Sequence, residues 1–223
     1  MYLKDTNESL TRIGPRTPMG DVLRRFWLPA LLAHELPGRD EGPLEVRLLG
    51  EDLETEYDAQ GEIGLTDRYF KEMAPYPLVA NGGVVWTYMG PQDFKPQLPV
   101  FAWSALPPLR RSTAKHIEQC NWAYAVEGSL AADTHPIFLP PFYTSATPDN
   151  SHAHVPIDDN NTCVWSFGAH THPESEESAA GLDNQAVIDF QHVMIALARE
   201  VARGHAPEAA SHGEWYSQRP FPI

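Results

Sequence analysis

Residues 76–91 read YPLVANGGVVWTYMGP. Asn81-Gly82-Gly83 stands between two apolar runs, and paired glycines supply the positive φ angles that a tight two-residue hairpin needs. Val84-Val85-Trp86-Thr87-Tyr88 is β-branched and aromatic and stops at Gly90-Pro91, so it reads as a strand. The pattern continues upstream. Val46-Arg47-Leu48-Leu49 reads as a strand, and Asp58-Ala59-Gln60-Gly61 is a turn ahead of a strand from Ile63 to Leu65. Before these, Thr17-Pro18 is a helix opening, a hydroxyl N-cap followed by proline. Val22, Leu23, Phe26 and Trp27 recur at helical spacing as far as Pro29.

Downstream the period is lost. Residues 91–108 hold five prolines and read as a linker. A second unit then follows. Trp122 to Leu130 is a predicted helix, and Val155-Pro156-Ile157 with Cys163-Val164-Trp165-Ser166-Phe167 forms a predicted hairpin about Asp159-Asn160. That hairpin sets His154 near Trp165 and His152 near Phe167. Asp183 to Arg203 is a further helix, with Val187, Phe190, Met194, Leu197 and Val201 on one face and Gly204 and Pro207 as its stop. The division that results is 1–91, a β-rich unit behind a helix; 92–110, a proline-rich linker; and 111–223, a second α+β unit.

A chain of 223 residues, 42% hydrophobic, buries a sizeable core. Its formal net charge of −14 disfavours nucleic acid and anionic membrane as partners, since both would repel it. The opening MYLKDTNESL lacks the apolar core of a signal peptide, and no apolar run is long enough to span a bilayer. Two cysteines, Cys120 and Cys163, without a disulfide pattern fit a reducing compartment, with cytoplasm as the default. No glycine-rich phosphate loop and no G-x-S-x-G elbow is present.

The strings TRIGPRTPMGDVLRRFWLPALLAHELPG, VRLLGEDL, GEIGLTDRY, YPLVANGGVVWTYMGP, EQCNWAYAVEG, PFYT and HVPIDDNNTCVWSF, with the final helix, resemble Rieske non-haem iron ring-hydroxylating oxygenases of the phthalate-dioxygenase type. The resemblance runs in family order from residue 11 to about residue 216. It implies an α+β chain: a Rieske-like antiparallel β-domain followed by a helix-grip (Bet v 1-like) domain, both shortened here. It also implies a 2Fe-2S cluster, a mononuclear Fe(II), electrons from a reductase or ferredoxin, an aromatic small molecule as substrate, and trimeric assembly.

The metal segments depart from that pattern. A Rieske centre takes two thiolates and two imidazoles, from a C-x-H and a C-x-x-H loop, and neither loop exists in this sequence. Where the family's first cluster loop should follow Arg68-Tyr69, the chain passes through Phe70-Lys71-Glu72-Met73-Ala74-Pro75 to the hairpin. The family's iron string carries an Asp, a His three residues on and a second His five further. Here Ala132, His135 and Pro140 hold those places, or Asp133 supplies the carboxylate by a one-residue shift. The helix bearing the iron carboxylate belongs between about His172 and Leu182, and Asp183 and Asp189 lie in the next one. A facial triad needs all three ligands, and His135 alone matches.

Single residues carry two readings each. His135 is a surviving iron ligand or a polar residue closing a helix before Pro136. His152-x-His154 and His170-x-His172 share strand faces and could bind zinc, copper or nickel if the pairs met; rim histidines are the blander reading and the favoured one. Cys120 and Cys163 read as buried small thiols, and Glu118 and Glu127 as surface carboxylates ahead of an acid–base pair. Three functions remain open. One is a silent oxygenase frame, inactive alone or an accessory subunit assembling with an intact oxygenase. Another is a longer intact oxygenase that hydroxylates or O-/N-demethylates aromatics, of which this chain omits segments. The third is an aromatic small-molecule binding module.

Overall fold

In a computed structural model, residues 8–132, 137–139, 143–147, 150–169 and 184–203 are described. Two antiparallel sheets carry the fold. The first contains β1 (Trp27–Leu32), β2 (Glu45–Leu48), β3 (Glu51–Tyr57), β4 (Ile63–Asp67), β5 (Tyr76–Asn81) and β6 (Val84–Tyr88), in the order β1-β6-β5-β4-β3-β2. The second contains β7 (Arg111–Glu118), β8 (Ile137–Leu139), β9 (Tyr143–Thr147), β10 (Asn150–Asp158) and β11 (Asn161–Ala169), in the order β7-β11-β10-β9-β8. Helices α1 (Pro18–Leu23), α2 (Trp122–Ala132) and α3 (Asn184–Ala202) complete an α+β chain. Among the described residues no helix is long and apolar enough to cross a membrane.

The β5–β6 hairpin forms as its sequence dictates. Asn81 pairs with Val84, and Gly82 and Gly83 take φ of 67° and 83°. A Cβ on Gly82 would lie 2.7 Å from the Ser104 Cβ, so packing as well as turn geometry excludes a side chain there. A second two-residue turn joins Leu48 to Glu51, with Leu49 at φ 49° and Gly50 at φ 77°. Leu49 was expected to extend the strand. Its conformation is held by the chain around it: its carbonyl accepts from Arg24 Nη2 at 2.8 Å and its N–H donates to the Pro156 carbonyl at 3.1 Å.

Helix α1 opens as expected, with Thr17 Oγ1 accepting from the Gly20 N–H at 3.1 Å. It ends at Leu23, earlier than the apolar spacing suggests, and Trp27 begins β1. Proline disfavours the helical region for the residue before it, and Trp27, Leu28 and Pro29 pair with Tyr88, Thr87 and Trp86 of β6. The missing amide of Pro29 is tolerated because β1 is an edge strand. Beside α1, Arg24 is buried against Glu51 (Nη2–Oε1 2.6 Å) and also donates to the Ile13 and Gly20 carbonyls. Tyr76 Oη donates to the other oxygen of Glu51 at 3.0 Å, and burial followed by the Glu51 charge pushes its phenol pKa up.

The proline-rich span is built into the core. It carries three short 3-10 turns, Gln92–Phe94, Ala102–Ala105 and Pro108–Arg110, and buries Phe101 and Trp103. Trp103 stacks on Phe167 of β11 with ring centroids 4.4 Å apart, and Phe101 stacks on Trp86 of β6 at 5.6 Å. Aromatic burial thus joins the two sheets. The Gly50 N–H donates to the Ile157 carbonyl at 2.8 Å and Lys115 Nζ meets Glu35 Oε2 at 2.5 Å, so the sheets are also bonded directly. Helix α3 agrees with the predicted span to within one residue at each end. Met194, Ala198 and Val201 are buried, Leu197 is partly so, and the side chains of Val187 and Phe190 lie outside the described residues.

Candidate functional site

Among the described residues, one face of the second sheet brings His152 and His154 together with polar neighbours. Its register departs from the simple hairpin. A bulge lies between Pro156 and Asp158, so His154 pairs with Val164 and His152 with Ser166, one residue short of the expected Trp165 and Phe167. The extra residue is accommodated where Pro156 has no amide to give to the ladder. Directly paired residues share a face. Thr144 on β9, Val164 and Ser166 on β11 and His116 on β7 therefore join the two histidines. Trp165 and Phe167 take the opposite face, in the aromatic core.

His154 is 1% exposed, and its Nε2 lies 3.1 Å from Thr144 Oγ1. Its pKa is pushed down to about 3, first by burial and then by the neighbouring His152 and His116, so it is a neutral imidazole at neutral pH. Its Nδ1 is buried without a hydrogen-bond partner. His152 Nδ1 sits 3.1 Å from Ser166 Oγ, and the two imidazole rings are 6.4 Å apart. His116 Nε2 faces Glu118 Oε1 at 3.3 Å on the exposed side. Among the described residues, no three His, Cys, Asp or Glu side chains are gathered to hold a metal ion. His135, Asp133, Pro140, His170, His172 and Asp183 lie outside the described residues. Thr144, Ser166 and His116 escaped the sequence reading, because β7 and β9 have to be placed before their alternation acquires a face.

The cysteines do not form a cluster site. Cys163 lies on β11, where burial pushes its thiol up to about 11. Cys120 precedes α2, and burial and then the Glu118 carboxylate raise its pKa as well. Residues 1–110, which include the whole first sheet, contain no cysteine and one histidine, His34. The chain's residues therefore do not fit a Rieske cluster. Glu118 and Glu127 are engaged apart from one another: Glu127 Oε1 accepts from Gln191 Nε2 of α3 at 2.8 Å.

No family model matches the chain. It is 30% identical over 177 aligned positions to the phthalate 4,5-dioxygenase oxygenase subunit of Pseudomonas putida, covering 58% of this chain and 40% of that protein. To the 5,5'-dehydrodivanillate O-demethylase oxygenase subunit of Sphingobium it is 29% identical over 183 positions, 58% of this chain and 42% of that protein. The match thus spans about two fifths of the length of these curated relatives. NdmB of Pseudomonas putida CBB5 shares the fold, with a TM-score of 0.54 at 11% identity over 83% of this chain and 95% of that one. A carbazole 1,9a-dioxygenase oxygenase solved in complex with ferredoxin does so at a TM-score of 0.50 and 12% identity, over 88% and 87%.

In sequence the chain is similar to oxygenase subunits of the phthalate-dioxygenase type. In fold it is similar to solved Rieske oxygenases.

The alignment lengths carry a further fact. The phthalate-dioxygenase match uses 58% of 223 residues, about 129, against 177 positions, so about 48 positions of the relative have no residue here. Three other aligned oxygenase subunits give the same figure: 177 positions at 58%, 173 at 56% and 137 at 40% of this chain each leave about 48.

Proposed function

We propose that this chain is a Rieske-oxygenase subunit reduced to its frame, catalytically silent alone and acting as an accessory subunit beside an intact oxygenase. The observation that carries the proposal is the absence of about 48 aligned positions in a chain whose residues 1–110 hold no cysteine and one histidine. A 2Fe-2S centre needs four donors and a mononuclear iron three. In this reading the cluster, the Fe(II), the reductase or ferredoxin contact and the turnover of an aromatic small molecule all belong to the intact partner. The division at 1–91, 92–110 and 111–223 and a cytoplasmic location are parts of the same proposal. The two free cysteines support the location, and the family resemblance supports assembly as a homotrimer or with an intact oxygenase subunit.

The test is oxygen uptake by the purified chain with a reductase, a ferredoxin and phthalate or a methoxylated aromatic acid, alone and after co-expression with an intact oxygenase subunit. The expected result is no uptake by the chain alone, and co-purification with the intact subunit. Oxygen-dependent turnover by a preparation of 24.9 kDa chains alone would overturn the proposal.

A further inference from the structure

The connection from β4 to β5 is where the family resemblance would set the first cluster loop, and in this structure it is an ordered turn. β4 and β5 are antiparallel neighbours, with Leu65 opposite Tyr76 and Gly64 opposite Pro77. Anything inserted between them leaves and re-enters at adjacent points, so its loss does not disturb strand order. The eight residues 68–75 that span the gap are anchored at both backbone and side chains. Asp67 Oδ1 accepts from the Tyr69 and Phe70 N–H groups at 2.7 and 2.8 Å, an Asx-type turn. The Met73 N–H donates to the Phe70 carbonyl at 3.3 Å, and the Arg68 N–H to the Asp52 carbonyl at 3.0 Å.

Two cations fasten the outside. Arg68 Nη2 meets Glu45 Oε1 at 2.8 Å. Lys71 Nζ meets the Glu54 carboxylate, Glu56 Oε2 at 3.2 Å and Thr66 Oγ1 at 3.3 Å. Exposed pairs of this kind contribute little individually, so the Asp67 turn is the main constraint. Three apolar side chains point outward over these anchors: Tyr69 is 70% exposed, Phe70 67% and Met73 54%. Polar groups hold the loop down while its large apolar groups meet water, the inverse of ordinary burial and the condition left when a covering segment is taken away. The adjoining surface cleft, lined by Arg39, Glu54, Tyr57 and Lys71, has its charges already engaged, Lys71 as above and Arg39 over the Tyr57 ring.

We infer that residues 68–75 are a self-supporting closure of the first sheet, and that this sheet folds without a metal cluster. Metal binding supplies folding energy where ligand loops wrap a metal; here hydrogen bonds from the chain's own residues hold the connection. The inference concerns folding, and it stands or falls apart from the proposed lack of activity.

The experiment is proteolytic mass mapping of the purified full chain, followed by hydrogen exchange and urea unfolding with and without a chelator. A peptide crossing the Phe70–Lys71 bond is expected, with Tyr69-Phe70 joined directly to Lys71. The Tyr69 and Phe70 amides are expected to exchange at least tenfold more slowly than unstructured ones. Asp67→Ala abolishes that protection while the β5–β6 amides stay protected, and the chelator leaves the urea midpoint unmoved. Absence of such a peptide, unprotected Tyr69 and Phe70 amides in the unaltered chain, or a midpoint lowered by the chelator each overturns the inference.

Discussion

Leu49 lies at φ 49° with no exposed surface, a conformation that costs a non-glycine residue on the order of 1 kcal/mol. Arg24 is what fixes it, bonding the Leu49 carbonyl and the Glu51 carboxylate while both are out of water. Arg24→Met leaves Glu51 buried with only Tyr76 as a partner and is expected to destabilise the fold by about 3 kcal/mol in urea unfolding. Adding Glu51→Leu is expected to recover part of that loss, since the uncompensated charge is then gone; a double variant as unstable as the sum of the single ones would contradict this. His154 makes the second prediction. Its folded pKa of about 3 lies below the ordinary histidine value, so the unfolded chain binds the proton more readily between those pH values. Its contribution to stability is therefore fully present above about pH 6.5 and is lost as pH falls towards 3. Below about pH 6.5 the unfolding midpoint of the wild-type chain should fall more steeply with pH than that of His154→Leu, and equal slopes there would contradict the burial of a neutral imidazole. Neither residue's role was legible beforehand, because the partners of Arg24 come from separate turns and the depth of His154 depends on the flanking strands β9 and β11.

The elements divide by how local their signals are. Asn81-Gly82-Gly83 and the Thr17-Pro18 opening act within four residues, and both form as the sequence indicates. The end of α1 does not, because the demand of β6 for an edge partner outweighs the helical spacing of Phe26 and Trp27. The bulge at Pro156 likewise belongs to the contact with Leu49 and Gly50 rather than to the hairpin itself. Strand β7 has no apolar alternation and emerges only as the partner of β11. The turn glycines separate packing from backbone conformation. Gly82→Ala meets both positive φ and the Ser104 Cβ at 2.7 Å, whereas Gly83→Ala meets positive φ with nothing closer than the Arg111 guanidinium at 3.8 Å. The first is expected to cost about 2 kcal/mol or more and the second about 1 kcal/mol, read as unfolding free energies; equal losses would show that Ser104 does not hold the hairpin.

At the scale of the molecule, the strings in family order made the frame legible from sequence, and the two sheets with their aromatic seam have the fold of known oxygenase subunits. The functional site was less legible, since it was read largely from what the metal segments lack. The alignment lengths leave about 48 unmatched positions against four of the relatives and about 54 against a fifth. The central claim is that the amino acids present cannot assemble an iron–sulfur centre. Iron content and reduced-state electron paramagnetic resonance, measured on one purified sample of the 24.9 kDa chain, test it most directly. No bound iron and no cluster signal are expected. Two irons per chain with a Rieske-type signal would contradict it.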